Sequence, residues 1–170
     1  HTVNYSNFIL DIIKNNYFYL NEETSKVSHI ISEISQLVSN DKDIQIEIQD
    51  KLKNKEGLIV NNGSIVLNLF LKEAKSTSLI VCRLSQDFIH EYCGAGHNHL
   101  IILVMPEKIK VTHKRYIKDF NTYISDNKIL DRVEPNEFSE TLNTALSVLY
   151  MEKLDEWRTK LNESINLNAK

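Results

Sequence analysis

Cys93, His97 and His99 fall within seven residues of one another, in the stretch YCGAGHNHLIILVMPEK from Tyr92 to Lys108. Thiolates and imidazoles are zinc ligands, and His97 and His99 would point the same way from a strand. Structural zinc sites use four ligands in paired short spacings, however, and no second pair follows. A cysteine beside a histidine is also the nucleophile and base of thiol catalysis. Such pairs are assembled in space, so closeness along the chain says little. The simplest reading is a loop, made pliable by Gly94 and Gly96, that leads into a buried strand.

His113 offers a different chemistry. It follows Pro106, and the spacing places it in the first turn of a helix, on that helix's apolar stripe. A partly buried imidazole at the positive end of a helix stays neutral. A neutral imidazole can accept a phosphoryl group, stabilise one, or simply cap and pack. Phosphate-binding loops, the dinucleotide fingerprint, the zinc-protease helix and the serine nucleophile elbow are all missing from the sequence.

The elements that must position these residues can be read from periodicity. Ser6–Asn15 reads as a short helix, and Tyr17–Leu20 as an extended segment. Val27, Ile30, Ile31, Ile34, Leu37 and Val38 recur at helical spacing, which predicts a helix from Glu22 to Val38 with Asn21 as its N-cap. A further helix is expected over Asp43–Asn54. The texture then changes to β-branched residues around Asn61, Asn62 and Gly63, an Asn-Gly hairpin signal. Thr77–Leu84 is a third strand. His99–Met105 is a fourth, apolar on both faces and therefore central. Helices are expected over Val111–Ser125 and from Asn136 to Glu163, with a helical turn between them at Asn127–Val133. This order specifies an α/β sandwich, a mixed β-sheet flanked by helices. Residues 1–150 form the domain and 151–170 a helical extension.

The 170 residues fit one domain, and 42% apolar and 25% charged residues are ordinary for a globular chain. A net charge of −3 argues against nucleic acid as a direct partner. Lys108, Lys110, Lys114, Arg115 and Lys118 could still form a local basic patch, or simply a solvated helix face. Two cysteines make no disulfide framework, so a reducing, cytoplasmic setting is expected. No apolar run is long enough to span a membrane. A chain opening on His1 rather than Met is expected to carry a tag remnant or to be an excised fragment of a longer protein.

The ordered set of elements resembles the enzyme IIA domain of the mannitol/fructose class of the bacterial phosphoenolpyruvate-dependent sugar phosphotransferase system (PTS), from about Asn7 to Leu149. The segment NFILDIIKNNYFYLNEETSKVSHIISEISQLV looks like that family's opening helix, strand and helix. LIVCRL is similar to its second core strand, and HLIILVMPEK to its central strand. SDNKILDRVEPNEFSETL is similar to its closing pattern.

The resemblance implies that a histidine in a Gly-x-Ala-x-Pro-His segment carries the phosphoryl group. Here the matching segment is GLIVNN, Gly57–Asn62, which puts Asn62 at the histidine position; a register over GSIVLN would put Asn68 there instead, but the spacing to TSLIVCRL favours Asn62. An amide nitrogen is not nucleophilic, so neither residue could accept phosphate. The family's arginine–glutamate pair is replaced by QDKLKNKE, and its second active-site histidine matches His113. The resemblance therefore implies a degenerate, regulatory IIA-like domain with no cofactor, of the kind found in transcription regulators with PTS regulation domains. It would act by contact with other domains of its parent, with HPr or enzyme IIB proteins, or with a second copy. The alternative is an active phosphocarrier that uses His113.

Overall fold

The computed structural model describes residues 2–23, 26–61, 63–94, 99–126 and 133–168. Helix α1 (Thr2–Lys14) is followed by β1 (Asn16–Asn21), α2 (Val27–Val38) and α3 (Lys42–Lys53). Then come β2 (Leu58–Asn61), β3 (Ser64–Leu71), β4 (Ser78–Leu84), α4 (Gln86–Cys93) and β5 (His99–Pro106). Helices α5 (Ile109–Thr112), α6 (Lys114–Asp126) and α7 (Phe138–Asn168) complete the order.

The strands form one mixed sheet in the order β1-β4-β5-β3-β2. Strand β5 sits in the middle, antiparallel to β4 and parallel to β3. Its apolar run explains that position. Ile101, Leu103 and Met105 face one helical layer, and Leu100, Ile102 and Val104 face the other, so either surface of β5 would be costly to leave in water. Helices α1, α6 and α7 cover the first face, while α2, α3 and α4 cover the second. The expected α/β sandwich with a mixed sheet is what the chain forms.

Three expectations need correction. Helix α2 starts at Val27, not at Glu22, with Lys26 as its N-cap. Asn21 instead ends β1, paired with Leu84, and its side chain accepts from the Glu23 N–H at 3.1 Å, a local turn that competes with helix. Between the strands expected at Thr77–Leu84 and His99–Met105, where no helix is expected, the chain forms the eight-residue helix α4. Ser85 caps its start by accepting from the Phe88 N–H, and Gly94, at φ 69°, ends it in the left-handed region. The helix expected over Val111–Ser125 is two helices joined at His113. The turn expected at Asn127–Val133 lies, apart from Val133, outside the described residues.

Helix α7 runs unbroken across the boundary expected at residue 150. Its first half is packed: Phe138, Leu142 and Leu146 are buried, and the Tyr150 hydroxyl hydrogen-bonds Ser6 at 2.7 Å. Ring contacts reach Trp157, whose indole sits edge-on to Tyr5 at 5.3 Å. Beyond it Leu161, Ile165 and Leu167 are exposed.

Candidate functional site

The connection from β5 through α5 into α6 divides two clefts. His113 is its joint: its N–H donates to the Ile109 carbonyl, and its own carbonyl accepts from the Ile117 N–H that opens α6. Its side chain turns toward α1, 6.5 Å from the Phe8 ring centroid and 5.8 Å from Tyr116. The Thr112 hydroxyl lies 2.8 Å from Nδ1. Burial pushes the imidazole pKa below its usual value, and a backbone hydrogen bond to Asn4 pulls part of the way back. The neutral ring expected from sequence is supported, but the main cause is desolvation. Asn4, Asn7, Asp11, Lys75, Thr77 and Lys108 share this cleft, of about 320 Å³.

The second cleft, about 750 Å³, lies between the β2–β3 hairpin and α6. Ile59, Val60, Phe70, Val111 and Ile117 make its apolar walls, and Asn61, Asn68 and Asn121 supply amides. Lys110, Lys114 and Lys118 recur every fourth residue along one side, and the Lys110 ammonium stands 5.5 Å from the Phe70 ring centroid. Asn68 alternates with Val66 and Phe70, so it faces the α6 layer. The Oδ1 atoms of Asn68 and Asn121 are buried without a hydrogen-bond partner. Leaving such an acceptor unsatisfied costs about 1–3 kcal/mol.

One glycine shapes this cleft. Gly57 has φ 63°, and its carbonyl accepts from the Asn68 N–H at 3.1 Å. A Cβ there would lie 2.2 Å from the Asn68 carbonyl oxygen, so only glycine lets the hairpin close so tightly over β3.

The sequence-predicted site residues distribute as follows. His113 lines the first cleft; Asn68 lines the second. Asn62 lies outside the described residues. Its neighbour Asn61 pairs with Ser64 at the start of β3, whereas Leu71, at the end of β3, pairs with Pro106 just before the His113 joint. The two ends of β3 are roughly 23 Å apart at the rise of an extended strand. Asn68 pairs with Leu103 and is three residues from the His113 end.

The basic run also divides. Lys108 belongs to the His113 cleft, Lys110, Lys114 and Lys118 to the other, and Arg115 to a third surface beside Trp157. No sequence pattern marks Asn121; only the burial of its Oδ1 without a partner does.

Cys93 and His99 belong to different faces. Cys93 packs with the α2–α4 layer, whereas His99 shares the alternation of Ile101 and Leu103 on the opposite face. The Arg83 Nε donates to His99 Nε2 at 3.3 Å. Burial pushes the Cys93 thiol up to about 11, which keeps it protonated at neutral pH and a poor nucleophile. His97 lies outside the described residues. Among the described residues no three histidine, cysteine or acidic side chains converge as metal ligands.

No helix among the described residues is long and apolar enough to cross a membrane. No protein-family model matches the sequence. No curated protein matches it either. The chain is similar in structure to the nitrogen regulatory protein IIA-Ntr of Neisseria meningitidis, with a TM-score of 0.56 over 79% of this chain and 97% of that one, at 13% identity. At that identity the likeness speaks for architecture, and the mixed five-stranded sheet between two helical layers is an enzyme IIA-type fold.

Proposed function

We propose that this chain is a regulatory IIA-like module of the mannitol/fructose class, part of a PTS-regulated transcription regulator, that works by protein contact and carries no phosphoacceptor. Its partners would be other domains of its parent and HPr or enzyme IIB proteins, in the cytoplasm. Residues 1–150 would form the module and 151–170 an extension. Exposed Leu161 and Ile165 there offer a surface to a neighbouring domain or a second copy.

The observation that carries this reading is Asn68. The IIA resemblance leaves Asn62 or Asn68 at the acceptor position. The strand register favours Asn68, because β3 runs parallel to β5 and carries Asn68 toward the end where His113 follows. Asn61, the last residue of β2, pairs with Ser64 at the far end of β3. An amide lone pair is delocalised into its carbonyl, so Asn68 has no nucleophilic nitrogen to offer.

A second reading, an active phosphocarrier, is favoured by one observation. His113 is a neutral imidazole in a cleft that also holds Lys75 and Lys108, which could neutralise a phosphoryl group.

Incubation with phosphoenolpyruvate, enzyme I and HPr separates the two. The chain should keep its mass, and Asn68→His, rather than Asn62→His, should gain a phosphoryl group. Phosphate mapped to His113 of the unaltered chain would replace the first reading with the second.

A further inference from the structure

Asn121 is only 5% exposed, lines the cleft between the β2–β3 hairpin and α6, and leaves its Oδ1 without a partner. Asn68 Oδ1 is in the same position on the facing strand. Two buried acceptors in one cleft ask for donors that the described residues do not supply. The side of the cleft is built from Lys110, Lys114 and Lys118, and among the described residues no carboxylate lines it. None of these lysines forms an ion pair among the described residues. Like charges at four-residue spacing repel, so this row favours an anion. A cation would be excluded, and a purely apolar ligand would leave both amide oxygens unmet. The volume, about 750 Å³, and the apolar walls of Ile59, Phe70 and Ile117 suit a small molecule.

We propose that this cleft binds a small phosphorylated metabolite that also carries hydroxyl, carboxyl or amine groups. Its anionic group is held by Lys110, Lys114 and Lys118, and its donors reach the Oδ1 atoms of Asn68 and Asn121. Occupancy would tie the hairpin to α6, the two walls of the cleft. The site shares Asn68 with the proposed function but does not depend on it, since phosphotransfer is read by mass and occupancy by spectroscopy.

The test titrates the ¹⁵N-labelled full chain with glucose 6-phosphate, 3-phosphoglycerate and O-phosphoserine, following the side-chain amides of Asn68 and Asn121. Inorganic phosphate is the control. At least one of the three metabolites should shift both amides saturably. Lys114→Ala with Lys118→Ala, both exposed positions, should weaken that binding about tenfold. Asn121→Leu should abolish it while the folded spectrum persists. Three results would overturn the proposal: no saturable shift with any of the three up to about 10 mM, equal response to inorganic phosphate, or shifts confined to the His113 cleft.

Discussion

The two clefts flank one short connection, yet they are built for opposite chemistry. The His113 cleft holds a titratable ring whose hydrogen bonds and ring contacts are met by Thr112, Asn4, Phe8 and Tyr116. Among the described residues the hairpin cleft holds no histidine or cysteine, but two unmet amide oxygens and a row of lysines. Residues adjacent in sequence part company here because each helical step turns the side chain by about 100°. His113 and the adjacent Lys114 therefore serve different walls. A group that is satisfied inside the protein is held for packing, or for use as it stands. An unmet acceptor that lines a cleft, as at Asn68 and Asn121, can meet a donor that arrives.

The sharpest way to break this comparison is to close one cleft and leave the other. Gly57→Ala sets a Cβ at 2.2 Å from the Asn68 carbonyl at a positive φ. It should cost about 2–3 kcal/mol or more in denaturant unfolding, because clash and backbone strain add. The His113 ring resonances should stay where they are. If they move as well, the clefts are coupled and the contrast fails.

A smaller effect tests the layer behind the His113 cleft. Trp157 packs edge-on to Tyr5 and 6.2 Å from Tyr116, so Trp157→Ala should lower stability by about 1–2 kcal/mol. Leu161, one turn further and 61% exposed, should change stability by less than about 0.5 kcal/mol when replaced by alanine. Equal losses would mean that α7 packs well past Trp157.

The mildest effect is the pH dependence of His113. Its folded pKa lies below the ordinary 6.5, so in the window between the two values the unfolded chain binds more protons. Stability should therefore rise with pH through that window and be lost as pH falls below 6.5. His113→Gln should flatten that slope, measured as midpoint denaturant concentration against pH. An unchanged slope would place the effect on another group.

Much of the sandwich is legible along the chain. The doubly apolar run His99–Met105 can be stable only in the middle of a covered sheet, and Asn-Gly after Ile59–Val60 marks the hairpin. Helix α4 was also written there, in Ser85 and Gly94, but eight residues give too little periodicity to stand out. The start of α2 was misread because Asn21 can cap a helix or bond its own backbone, and strand pairing with Leu84 chose the second.

Residue types and their order thus determined the fold class and the apolar stripe that half-buries His113. Local propensity and hydrophobic period act over a few residues, and these conclusions need no more. Which asparagine faces a cleft, how the lysine run divides and why Asn121 matters were decided only by tertiary structure. Register between distant strands and burial of an amide without a partner come from long-range packing, which no local pattern encodes.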